Sequence, residues 1–140
     1  MTENNKEHKP LPDSALNAVT RDRWIFVMPE VDAFLTKSVQ LPQVYAHSDD
    51  GYTQATVCFH NAIGYPINAK LLKMMRDGRA FNAEIKLLDC MGTVIDRWRL
   101  TGATIDSIWW SSLDYAERTP MVTNVMIAFP QDNLQIVSEA

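Results

Sequence analysis

Cysteine is nearly absent from this 140-residue chain: Cys58 and Cys90 are the only two, far apart and without a Cys-x-x-Cys pair. Neither a disulfide framework nor a zinc knuckle fits that pattern, and two buried thiols are the expectation. Glycine is scarce too, five in all, and none falls in a phosphate loop, a Gly-x-Gly-x-x-Gly turn or a Gly-x-Ser-x-Gly elbow. No run approaches the roughly 18 apolar residues that span a bilayer. Residues Met1 to Pro12 are polar, unlike a signal peptide, so synthesis in the cytoplasm and no membrane partner are expected. A surplus of basic charge is also missing. Thirteen Lys and Arg stand against 17 Asp and Glu, a net charge of −4, and the densest basic window is Arg97-Trp98-Arg99. Such a field does not draw in phosphate backbones.

What is present is the composition of an ordinary globular protein, 46% hydrophobic and 21% charged, with no shift along the chain that would split it. Residues 1–13 hold two prolines and one large aliphatic side chain after Met1, and read as a flexible arm. Residues 14–140 read as one domain. Asp13 or Ser14 is placed to cap a short helical turn through Ala15, Leu16 and Val19.

From Arg23 onward the pattern is β. Trp24 to Met28 is a first strand, stopped at Pro29, and Phe34 to Leu41 a second, stopped at Pro42. Asp49, Asp50 and Gly51 form a turn. In the strand Thr53 to His60, Ala55, Val57 and Phe59 share one face, the alternation of a sheet with one dry side. The single helix starts at Pro66, at a first helical position, and ends by Arg76 or Asp77 with Gly78 as a left-handed cap. Ile67, Leu71, Met74 and Met75 recur at helical spacing as its packing face, with Asn68, Lys70 and Lys73 opposite.

A hairpin follows, Phe81 to Leu88 and Thr93 to Thr101, turning through Asp89 to Gly92. An odd sum of paired residue numbers puts Glu84 and Lys86 on one face with Arg97 and Arg99, and Ile85 and Leu87 on the other with Val94 and Trp98. A last pair of strands spans 108–115 and 121–129. In the second of these Met121, Thr123, Val125, Ile127 and Phe129 share a face, while Val122, Asn124, Met126 and Ala128 make a half-apolar opposite one. A strand apolar on both sides is covered by a second layer or by a neighbouring subunit.

Candidate chemistry is thin. His8, His47 and His60 have no Glu or Cys at ligand spacing, and the aspartates fall in turns and strand ends, where backbone hydrogen bonding alone accounts for them. No cofactor, metal or catalytic residue is indicated. Trp109 and Trp110 are adjacent in a strand and point to opposite faces, so they do not form one stacking platform and are assigned to core or subunit interface. A ligand-binding β-barrel with Trp98, Trp109 and Trp110 around a cavity is the alternative from another class. A hydrolase built on His60 is a further one and requires a deep pocket around that residue.

Taken in order, Arg23-Trp24-Ile25-Phe26-Val27, the Leu41-Pro42 close, the strand Thr53 to Asn61 leading into Pro66 to Arg76, the hairpin Ala83 to Asp89 with Val94 to Ala103, and the closing pair Leu113-Asp114-Tyr115 and Val122 to Phe129 resemble the tail tube proteins of contractile-tailed bacteriophages and the related tube subunits of contractile injection systems. The resemblance implies a mainly β fold, sandwich- or barrel-like antiparallel sheets with one covering helix, in which the hairpin's second strand ends at Gly102 before a crossover. It also implies a non-enzymatic virion protein that assembles into stacked hexameric rings, with sheath protein outside, baseplate or tube initiator and terminator at the ends, and DNA passing through the lumen unbound. A tube initiator or baseplate relative of the same fold is the variant reading. On that basis Trp109, Trp110, Tyr115, Val122, Val125, Met126, Asp49 and Asp50 are the expected subunit-interface residues, together with the N-terminal arm.

Overall fold

The computed structural model describes residues 19–139; the expected arm and residues Ala15 and Leu16 of the expected helical turn lie outside them. Seven antiparallel strands and one helix follow as β1 (Trp24–Val27), β2 (Thr36–Gln40), β3 (Tyr52–His60), α1 (Asn68–Arg76), β4 (Phe81–Leu88), β5 (Val94–Trp110), β6 (Val122–Pro130) and β7 (Leu134–Ser138). The protein is thus mainly antiparallel β with one helix among the described residues.

The organising element is β5. The pattern ends the hairpin strand at Thr101 and the family resemblance implies a crossover after Gly102, but the structure has one continuous 17-residue strand. Gly102 sits at φ +70°, and between Leu100 and Ala103 β5 takes three steps against two on β4. The extra residue makes a bulge that bends the strand instead of ending it. A second bulge places Asp106 outside the ladder, between Ile105 and Ser107. Before the first bend β5 pairs with β4 and β7; beyond it β5 pairs with β6. Two leaves result, β1-β4-β5-β7 and β5-β6-β3-β2, hinged on one strand.

Their inner faces enclose one core that includes Phe26, Phe59, Val57, Ile85, Leu100, Val125, Ile127 and Phe129. Phe26 of the first leaf meets Phe59 of the second at a centroid distance of 6.3 Å. Each such side chain contributes about 1.5–3 kcal/mol when fully buried. β1 and β2, the two ends of the strand path, approach each other without pairing, so the curled sheet is a barrel left open along one seam.

The hairpin has the odd-sum register: Glu84 opposes Arg99, Ile85 opposes Trp98 and Lys86 opposes Arg97. Its turn is held by Asp89, whose Oδ1 accepts from the amides of Met91 and Thr93, each at 2.9 Å. Helix α1 begins two residues later than the position of Pro66 indicates. Ile67 is the N-cap residue, and Pro66 precedes it. The C-terminal end is a Schellman motif, with Gly78 at φ +62° and amide bonds from Gly78 to the Met75 carbonyl (3.1 Å) and from Arg79 to that of Met74 (3.2 Å). Ile67, Leu71 and Met74 are buried and Met75 packs against the core.

Candidate assembly surface

The outward face of the second leaf is formed by alternate residues of its four strands. In register order, Thr104 lies beside Ala128 and Gln54; Ser107 beside Met126, Thr56 and Gln40; Trp109 beside Asn124, Cys58 and Ser38; and Val122 beside His60. No Lys, Arg, Asp or Glu occupies these paired positions; the exposed charges of the two strands, Lys37 and Asp106, sit at bulges outside the ladder. The outward face of the first leaf is the reverse. Glu84 sits there among Arg99 (3.3 Å), Arg97 (3.6 Å) and Lys86 (3.8 Å), and Arg97 also reaches Glu139 at 3.3 Å. A charged face keeps its water, whereas an uncharged, pleated one loses little when covered.

Of the residues expected at an interface, Met126 and Val122 lie half-buried on the uncharged face, beside Trp109, which is 42% exposed. Val125 is a correction. It points the other way, is 0% exposed and belongs to the core, because in β6 the face shared with Ile127 and Phe129 is the inner one. The tryptophans do point to opposite faces, but neither is core: Trp110 is 39% exposed. Tyr115 lies in no strand. It belongs to an exposed loop, Ser111 to Pro120, that projects Leu113 (82% exposed) and Tyr115 (fully exposed). The loop is shaped by local bonds: Asp114 Oδ1 accepts from the Ala116 amide at 3.0 Å, and Glu117 Oε1 accepts from the Thr119 hydroxyl at 2.6 Å. The Thr119 bonds hold the Glu117 carboxyl below its ordinary pKa. Asp49 and Asp50 are exposed in the turn before β3, where Asp50 Oδ1 accepts from the Tyr52 amide at 3.0 Å. Cys90, expected to be buried, is exposed in the hairpin turn, and Cys58 is half-buried.

The loop is anchored by a polar hub that periodicity concealed. Asn68, assigned to the solvent face of α1, is half-buried. Its Oδ1 accepts from Trp110 Nε1 (2.9 Å) and Thr123 Oγ1 (2.7 Å), and its Nδ2 donates to Asn61 Oδ1 (2.8 Å). Asn61 Nδ2 donates in turn to Thr123 Oγ1 (3.0 Å) and to the Met121 carbonyl (3.3 Å). The one hint in the sequence is an Asn at the start of a helix, next to an apolar stripe. Its partners lie 7 to 55 positions away, beyond the reach of any local pattern.

Among the described residues, no His, Cys, Asp and Glu side chains cluster as a metal site. The main cleft, of about 920 Å³, opens at the β1–β2 seam. Trp24 lines it, while Trp98, Trp109 and Trp110, the residues expected around the cavity of the barrel alternative, do not. His60 is exposed at the end of β3 and lines neither this cleft nor a small depression near Tyr65.

No family model and no curated protein matches the chain. Solved structures do. A chain from the sheath–tube complex of an extracellular contractile injection system, PVC, in the extended state superposes with a TM-score of 0.67 at 14% identity, over 93% of this chain and 100% of that one. A chain from the tube-terminating cap of the anti-feeding prophage gives 0.65 at 14% identity, over 94% and 93%. Hcp1 from Flavobacterium johnsoniae gives 0.54 at 11% identity, over 84% and 96%. At such identities the likeness is one of fold, and the fold of this chain is the one it shares with these proteins of contractile injection systems and with Hcp.

Proposed function

We propose that this protein is a structural tube subunit that assembles with copies of itself into stacked hexameric rings, the inner tube of a contractile tail or injection particle. The observation that carries this reading is the superposition of nearly the whole chain on all of a chain from a sheath–tube complex. Two surface features support it. The uncharged outward face of β5-β6-β3-β2 and the projecting Leu113 and Tyr115 are surfaces that identical neighbours would cover in a ring. In this arrangement sheath protein surrounds the tube, a baseplate or initiator protein and a terminator meet its ends, and DNA passes through the lumen without specific binding, in keeping with a net charge of −4. The role is mechanical, not catalytic, and the mature protein resides in the tail of the particle.

Negative-stain electron microscopy of the purified protein, with sedimentation at high concentration, tests this. Sixfold rings or tubes are expected; a species that stays monomeric at every concentration refutes it. A tube initiator is the second reading, favoured by a chain of the anti-feeding prophage baseplate with a TM-score of 0.58 over 86% of this chain. Single rings that never elongate alone would select it over the main tube subunit.

A further inference from the structure

We propose that the single turn Gln131–Asn133, between β6 and β7, is a joint that couples the connection between β2 and β3 to the bend of β5, so that loosening or shifting that connection alters the angle between the two leaves. The turn lies where the chain passes from the second leaf to the first. Its two carboxamides hold different stretches of backbone. Gln131 Oε1 accepts from the Tyr45 amide at 3.1 Å and Nε2 donates to the Tyr45 carbonyl at 2.6 Å, so one side chain holds both backbone groups of a residue 86 positions away. The Gln131 amide also donates to the Gly51 carbonyl at 2.8 Å. Asn133 Nδ2 donates to the Thr101 carbonyl at 3.0 Å, and Asn82 Oδ1 on β4 accepts from the Gly102 amide at 3.2 Å. That carbonyl and that amide belong to one peptide unit, gripped at both ends where the bulge interrupts the β4–β5 ladder.

Residues 41–51 contain neither strand nor helix. A connection of this kind is the mobile part of a fold unless its backbone is tied. Here the Gln43 carbonyl accepts the hydroxyl of Thr53, a residue only 6% exposed, and the ties at Tyr45 and Gly51 both end on Gln131. Only Asp132 separates Gln131 from Asn133, and one turn of 3-10 helix fixes the two carboxamides relative to each other. A displacement of the Tyr45 backbone is therefore passed to the Thr101–Gly102 peptide. Gly102, at φ +70°, is where β5 turns from one leaf to the other, so a shift of that peptide acts on the leaf angle. Val44 and Tyr45 are 55% and 46% exposed; the connection is open to whatever presses on it, and the joint carries the effect to the strands. Coupling of this kind belongs to the single chain and holds whether or not rings form.

The test uses the full chain at a concentration where it is monomeric, with amide exchange of Tyr45 and Gly102 as readouts. Thr53→Val cuts the tie at Gln43, far in sequence from the bend. It is expected to speed exchange of the Tyr45 amide about ten-fold and that of Gly102 several-fold. In a Gln131→Ala background the same substitution is expected to leave Gly102 exchange unchanged, because the joint is gone. Coupling acts equally in both directions, so Asn82→Ala is expected to speed the Tyr45 amide as well, and to do so only while Gln131 is present. The leaf angle is read by spin labels on Cys90, in the turn of the first leaf's hairpin, and on Gln40→Cys of the second leaf, in a Cys58→Ser background. Thr53→Val is expected to broaden or shift their distance distribution. If Gln131→Ala does not fold, Gln131→Glu takes its place, since it keeps the acceptor for the Tyr45 amide and loses the donor to the carbonyl. Unchanged Gly102 exchange in Thr53→Val would overturn the proposal, whatever the Tyr45 amide does. So would an equal rise at every amide of the chain, which marks general destabilisation. Ring formation, read separately by microscopy, bears on neither outcome.

Discussion

The carboxamide oxygen of Asn68 accepts the indole N–H of Trp110 at 2.9 Å, across 42 positions of sequence. The same oxygen accepts the hydroxyl of Thr123, a residue with 0% exposure. One side chain at the start of α1 thereby fixes the end of β5, the start of β6 and the base of the loop that projects Leu113 and Tyr115.

Replacing Asn68 by Leu leaves the Thr123 hydroxyl and Asn61 without that partner in a closed space. An unsatisfied buried group costs about 1–3 kcal/mol, so a loss of roughly 2–3 kcal/mol is expected in urea denaturation. Adding Thr123→Val to the Asn68→Leu background is expected to cost less than Thr123→Val alone, because both variants remove the same bond. Strict additivity would show that the hub is not a coupled unit.

Val125→Asp and Met126→Glu separate inside from outside. The first buries a carboxylate among Ile127, Val57 and Ile108, and is expected to cost more than about 4 kcal/mol and abolish the thermal transition. The second changes the outward uncharged face; it is expected to leave the melting temperature within a few degrees and to stop ring formation. Normal rings from Met126→Glu would remove that face from the interface.

Leu113→Asp with Tyr115→Ser alters only exposed atoms of the loop. Circular dichroism and stability are expected to match the parent within about 0.5 kcal/mol, while sedimentation shows loss of assembly. Unchanged polymers would place the loop on a free surface.

Gly102→Ala forces a side chain into the left-handed region. A Cβ there would stand 3.4 Å from Asn133 Nδ2, a contact the Asn133 side chain can relax, so backbone strain decides the outcome. A loss of about 1–2 kcal/mol is expected, seen as a fall of roughly 3–8 °C in melting temperature. No change would mean the bulge tolerates any residue.

Glu84→Gln removes the carboxylate shared by Lys86, Arg97 and Arg99. Its side chain is 23% exposed and the cations are partly solvated, so the cost is expected to stay below about 1 kcal/mol and to shrink as salt rises. A larger, salt-independent loss would show that this face is buried in the assembled state.

Much of the fold was legible because its signals are local. The Asp89–Gly92 turn and the alternation of charged and apolar residues make the hairpin legible, and an odd-sum register, which the structure has, puts Glu84 on the arginine face. Gly78 marked the end of α1. Gly102 misled because the residue that ends a strand and the residue that bulges one are the same residue, and only the pairing of β5 with both leaves tells them apart. Asn68 misled because a polar residue at a helix start reads as solvent-facing unless its distant partners are known.

The sequence alone determined a mainly β fold with one amphipathic helix, the hairpin and the turns, since each depends on side-chain period and backbone conformation within a few residues. Tertiary structure decided which apolar face of β6 turned inward, putting Val125 in the core and Met126 outside. It also decided that β5 runs unbroken between two leaves, that Asn68 joins the helix to the strands, and that β1 and β2 meet without pairing. Those outcomes depend on contacts between residues tens of positions apart, where competing faces differ by little until the whole chain is packed.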